Sequence, residues 1–160
     1  MIAKIITLNQ LITIKKDLKK QGKTIVFTNG CFDILHTAHI LLFLEAKRCG
    51  DILAVAVNTD ESIRKLKGSK RPVFPLEERL EVLDAVEAID YLLPFSEETP
   101  LEIISQLLPD VLIKGGDWKP EDIVGKQEVA RSGGRVVIFP FVAGYSTTEI
   151  IKRIGGRYDD

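Results

Sequence analysis

Five short apolar runs recur along the chain: TIVFT (24–28), DILAVAV (51–57), DYLLPF (90–95), VLIKG (111–115) and VVIFP (136–140). Most are nearly unbroken rather than alternating, which is the pattern of strands buried on both faces of a sheet. Between them the spacing becomes helical. AHILLFLEAKRCG ends at Gly50, a suitable helix stop. PLEERLEVLDAVEAI puts Leu76, Leu80, Leu83 and Val86 on one stripe behind Pro75. TPLEIISQL and EDIVGKQEVARSG predict two shorter helices, the second weakened by Gly125 and closed by Gly133. Strands alternating with helices predict an α/β fold with right-handed crossovers: a doubly wound, mostly parallel, five-stranded Rossmann-like sheet. No repeat or linker interrupts it. The expectation is one domain over 1–160, with a core at about 22–155 and an N-terminal helical segment at 1–21.

Composition narrows the partners. The 160 residues are 45% hydrophobic and 28% charged with a net charge of -1, enough for a real core and too neutral to favour nucleic acid or an anionic membrane. No run approaches the roughly 20 apolar residues of a membrane helix, and the first residues lack a secretion-signal pattern. Two cysteines, Cys31 and Cys49, are too few for a disulfide framework, so a cytoplasmic setting is expected, with Cys49 read as a small core residue.

In doubly wound sheets ligands bind beyond the carboxyl ends of the strands, so candidate chemistry is sought there. After the first run comes NGCFDILHTAH, holding both histidines of the chain, His36 and His39, where a helix begins. Gly30 offers a positive φ and a close backbone approach. The helix start supplies free N–H groups for a phosphate, and two imidazoles three residues apart share one face. Cys31, Asp33, His36 and His39 make a poor tetrahedral zinc set by their spacing. The second run ends in Asn58, Thr59 and Asp60, followed by Lys65, Lys67, Lys70 and Arg71 on what reads as a basic loop able to fold over a polyphosphate. After the fourth run, Gly115 and Gly116 clear space, Asp117 suits ribose hydroxyls, and Trp118 gives a flat apolar surface. After the fifth, Ser146, Thr147 and Thr148 open a helix as a second phosphate cradle. G-x-x-x-x-G-K-[ST], G-x-G-x-x-G and G-x-S-x-G are absent, which disfavours P-loop kinases, dinucleotide dehydrogenases and hydrolases.

Together these segments resemble the nucleotidyltransferase superfamily marked by H-x-G-H. GCFDILHTAH is similar to its GTFDxxHxGH stretch, and YSTTEI to its ISTT stretch. RPVFPLEERLEVL, AIDYLLPF, VLIKGGDW and YSTTEIIKRI further resemble the adenylyltransferases of ADP-heptose synthesis, over roughly 20–155. One departure is Ala38, which replaces the glycine of H-x-G-H.

The resemblance implies that ATP and a heptose 1-phosphate react, with Mg2+, to ADP-heptose and pyrophosphate. His36, His39, Lys65 and Lys67 would be catalytic. The implied nucleotide-binding set is Asn29, Gly30, Cys31, Phe32, Asp33, Ala38, Arg79, Lys114, Gly115, Asp117, Tyr145, Ser146, Thr147 and Thr148. Asp60, Arg71 and Trp118 would bind substrate, with no residue assigned to metal. A homodimer and a separate heptose kinase supplying the substrate are also implied. The alternatives are a cytidylyltransferase acting on glycerol 3-phosphate or a similar small phosphate, an FAD synthetase, and a non-catalytic nucleotide sensor.

Overall fold

A computed structural model describes residues 4–116, 118–140 and 144–158. The chain runs α1 (Leu8–Lys20), β1 (Ile25–Gly30), α2 (Thr37–Arg48), β2 (Ile52–Asn58), α3 (Asp60–Lys67), α4 (Leu76–Asp84), β3 (Tyr91–Phe95), α5 (Leu101–Leu107), β4 (Val111–Gly115), a 3-10 turn (Pro120–Asp122), α6 (Lys126–Arg131), β5 (Arg135–Phe139) and α7 (Thr147–Tyr158). The five strands form one sheet in the order β3-β2-β1-β4-β5. Every pairing is parallel, with Val26 beside both Leu53 and Val111.

The unbroken apolar runs find their reason in two cores, one on each face of the sheet. Ile25, Phe27, Ala54, Ala56 and Leu112 face α1, α5 and α6, against Leu11, Ile104, Leu107 and Val129. Their strand neighbours Val26, Leu53, Val55, Val57 and Ile113 face α2 and α4, against Phe43, Ala46, Leu80 and Leu83. Each fully buried Val, Leu, Ile or Phe side chain among them contributes about 2 kcal/mol. Thr7 starts α1 with a reciprocal capping box to Gln10. The segment before it covers the edge of β3, with Ile6 N–H donating to Leu92 O at 3.0 Å and Leu92 N–H to Lys4 O at 2.8 Å.

Three local expectations are corrected. Lys65 and Lys67 stand on helix α3, not on a loop; Thr59 caps that helix by accepting from Ser62 N–H, and Ser62 and Ile63 are its buried residues. The helix expected over 75–89 ends at Asp84, with Ala85 closing it. The stretch 121–133 is split at Gly125, whose φ of 84° a side chain would resist and whose Cβ would lie 2.6 Å from Ile104.

Candidate active site

β1 is flanked by β2 on one side and β4 on the other, so the chain's direction of winding switches between β1 and β4. A cavity of about 430 Å³ opens there, at the carboxyl ends of the strands. Asn29 and Gly30 come to it from β1, Asn58 from β2, Lys114 and Gly115 from β4, and Phe139 and Pro140 from β5 and just beyond. The N-terminal turns of α2 and α7 close it from above the sheet.

The turn after β1 is built around Phe32, not Gly30. Gly30 does not take a positive φ; the left-handed conformation falls on Phe32, at φ 45°, an uncommon state for a bulky residue. Residue 30 is nonetheless held to glycine by packing, because a Cβ there would sit 2.9 Å from Phe32 Cζ. The Phe32 ring is buried and meets His39 edge-on, with centroids 5.1 Å apart. His39 in turn stacks on His36 at 3.7 Å and 22°. His36 is the N-cap residue of α2 but makes no side-chain cap.

Both Nδ1 atoms are buried without a partner, so Nε2 is the nitrogen each ring has left for the cavity. Burial lowers the pKa of His36, and burial, the adjoining His36 and the Lys67 charge push that of His39 down to about 3. The pair is therefore neutral at physiological pH, two N–H donors rather than two cations.

Two cations line the cavity among the described residues, Lys67 and Lys114. Lys114 donates to Asn29 Oδ1, and burial lowers its pKa to about 8. Across the cavity Ser146 accepts the Glu149 N–H at 3.1 Å, and Thr147 and Thr148 begin α7 beside it. Trp118 and Tyr145 present exposed rings along the same wall, and Trp118 Nε1 donates to Gly115 O at 3.2 Å.

Of the residues singled out from sequence, the cavity gathers His36, His39, Lys67, Asn29, Gly30, Cys31, Phe32, Asp33, Ala38, Asn58, Lys114, Gly115, Gly116, Trp118, Tyr145, Ser146, Thr147 and Thr148. Asp117 lies outside the described residues. Thr59, Asp60, Lys65, Lys70, Arg71 and Arg79 do not line it. Lys65 pairs with Glu61 at 2.8 Å on the exposed face of α3. Arg79 is buried, its guanidinium donating to Cys31 O at 2.6 Å, Phe74 O at 3.1 Å and Asp60 at 2.8 Å, which occupies Asp60 as well. Arg71 pairs with Asp33. Asp33 also accepts from the N–H groups of Val73, at 2.7 Å, and Phe74, at 3.0 Å, so it ties the 71–74 segment to the β1–α2 turn. Leu42, Phe139 and Pro140 line the cavity without having been foreseen. Apolar wall residues carry no chemical signal, although Leu42 follows His39 by three on the same helix face.

A magnesium ion does not fit these side chains as a protein-held ligand. Among the described residues no three His, Cys, Asp or Glu side chains converge, and Asp33, the carboxylate lining the cavity, has both oxygens engaged.

Two helix starts, a neutral imidazole pair and two flat aromatic surfaces around the switch point of a parallel sheet define a site of the nucleotidyltransferase class. The cytidylyltransferase-like family matches residues 27–153, and this chain belongs to it. Bifunctional protein HldE of Vibrio vulnificus strain YJ016 is 53% identical over 148 residues, covering 92% of this chain and 31% of that protein. The protein of the same name from Syntrophotalea carbinolica is 51% identical over 141 residues, 88% of this chain and 29% of that one. The chain thus spans about a third of the length of these curated relatives. Among solved structures, a lipopolysaccharide core biosynthesis protein from Thermoplasma volcanium superposes with a TM-score of 0.62 at 28% identity, over 78% of this chain and 100% of that one. A pantoate-beta-alanine ligase from Francisella tularensis, at 14% identity and TM-score 0.57, covers 85% of this chain and 66% of its own and shares the fold.

Proposed function

We propose that the chain transfers the adenylyl group of ATP to a heptose 1-phosphate, giving ADP-heptose and pyrophosphate for a cell-envelope glycan such as lipopolysaccharide core. The observation that carries this reading is the stacked His36–His39 pair, lining a cavity that two helix starts and two aromatic rings also line. High identity to the bifunctional HldE proteins supports the sugar branch.

The chemistry needs no covalent intermediate. A phosphate oxygen of the sugar phosphate attacks the α-phosphorus in line, the bond from that phosphorus to the α–β bridging oxygen breaks, and pyrophosphate carries away the electron pair. The chain's residues position and stabilise. The imidazole Nε2–H groups donate to phosphate oxygens as charge builds on the leaving group. The free N–H groups at the start of α2 and the hydroxyls of Ser146 to Thr148 hold the phosphates further along. Lys67 and Lys114 supply positive charge, and Trp118 and Tyr145 give the base its stacking surface. Magnesium in this reading arrives on the nucleotide, as befits a cation that keeps several waters and binds phosphates directly.

The same reading places the reaction in the cytoplasm, where free Cys31 and Cys49 thiols persist, and pairs two copies as a homodimer. A sugar kinase must supply the anomeric phosphate.

The test is pyrophosphate release, offering ATP or CTP against heptose 1-phosphate and glycerol 3-phosphate, with His39→Ala as control. Turnover with ATP and the heptose, lost in the control, is expected. Turnover confined to CTP and glycerol 3-phosphate would refute the adenylyl reading, and ATP binding without turnover would make the protein a sensor.

A further inference from the structure

The cavity divides along the strand order. Trp118 and Tyr145 stand toward β4 and β5, and the histidine pair sits over the end of β1. With base and phosphates so assigned, the β2 side is left for the body of the acceptor. That side holds Asn58, the last residue of β2, which is only 4% exposed.

The surroundings of Asn58 fix which way its carboxamide points. Its Nδ2 lies 2.9 Å from Ser62 Oγ, and Ser62 Oγ lies 3.0 Å from the carbonyl oxygen of Glu97. A carbonyl can only accept, so the single hydroxyl hydrogen of Ser62 is committed to Glu97. The hydroxyl oxygen must then accept from Asn58, and the amide nitrogen, not the oxygen, faces it. Oδ1 is thereby turned toward Cys31, another cavity-lining residue, whose Sγ at 4.0 Å is a weak donor. A buried acceptor held rigidly and left so poorly satisfied is costly in an empty site and is satisfied by a ligand hydroxyl.

We propose that Asn58 is a specificity-determining residue for the acceptor: its Oδ1 accepts a hydrogen bond from a hydroxyl of the sugar phosphate, and Ser62 is the positioning residue that sets its orientation. This rests on the adenylyl-transfer reading above and adds to it the means by which a polyhydroxylated acceptor is told from a simpler phosphate. A site built to pair a hydroxyl rejects analogues lacking it, because the protein's own acceptor is then stranded.

The experiment measures KM for ATP and for the sugar 1-phosphate in wild type, Asn58→Ala and Ser62→Ala, together with sugar 1-phosphates deoxygenated one position at a time. Asn58→Ala is expected to raise the sugar KM by about tenfold with the ATP KM unchanged. One deoxy sugar should cost the wild type the same factor and cost Asn58→Ala nothing more. Ser62→Ala, which frees the carboxamide without deleting it, should give a smaller rise in the same constant, and it decides the matter alone if Asn58→Ala does not fold. The inference is overturned if the wild type turns over sugar phosphates while the variants keep its sugar KM, or if the ATP KM rises in step with it. A wild type that releases no pyrophosphate with any sugar phosphate brings down the adenylyl-transfer reading, and this inference with it.

Discussion

Lys114 offers a test in which stability and activity should move in opposite directions. Its ammonium is set into the cavity floor against Asn29, and burial lowers its pKa from 10.5 to about 8. At about pH 7 it is charged and carries a penalty of about 3 kcal/mol relative to an unfolded chain. Lys114→Met removes that penalty but strands the Asn29 acceptor, which takes back about 1 to 3 kcal/mol. The variant should therefore be more stable than wild type at about pH 7, by on the order of 1 kcal/mol.

Raising the pH reverses the balance. Between about 8 and 10.5 the folded wild type has released the proton while its unfolded chain still holds it, so wild-type stability climbs with pH through that window. Lys114→Met has no such gain, and by about pH 10 it should be the less stable of the two. Urea unfolding of both proteins at the two pH values reads this directly. Pyrophosphate release by the variant should fall by at least about tenfold, the cost of one lost charge at a transferring phosphate. A stability difference that stays constant across the window would refute the argument, since Lys114 would then hold its proton equally in the folded and unfolded chains.

Two further outcomes follow from the same geometry. With the pKa values of His36 and His39 both lowered, that of His39 to about 3, proton NMR of the two imidazole Cε1–H resonances should show the His36 ring titrating below its ordinary 6.5 and the His39 ring far below it. Stability should correspondingly decline as pH falls below 6.5, because the unfolded chain takes up protons the folded one refuses; a His39 ring titrating near 6.5 would contradict this. Asp33→Asn leaves the Arg71 guanidinium largely buried and uncompensated, and should cost about 3 kcal/mol in denaturant unfolding; a loss below about 1 kcal/mol would show the pair to be solvent-supported.

The strands were legible to within a residue or two because burial on both faces demands unbroken apolar runs, and 24–28 against Ile25–Gly30 is typical. Helix α3 was not, since only Ser62 and Ile63 on it face the interior, and a helix without an apolar stripe reads as a charged loop. Its one local signal was Thr59 as a cap. At the site, His36, His39 and the hydroxyls of α7 could be placed because each follows a strand end, and the fold brings all strand ends to one edge. Arg71 and Arg79 show the limit of that argument. Sequence marks an arginine as a cation near a phosphate site, but only the folded chain reveals that Asp33, Asp60 and two backbone carbonyls occupy them.

The packing of Gly30, Phe32 and His39 bears on how such a sequence is free to drift. A methyl at position 30 displaces the Phe32 ring, and that ring packs edge-to-face with His39. A smaller residue at position 32 makes room for that methyl, yet by itself it leaves the imidazole unsupported. Each single step is thus harmful while a joint replacement is sterically permitted, so the three positions are bound by epistasis.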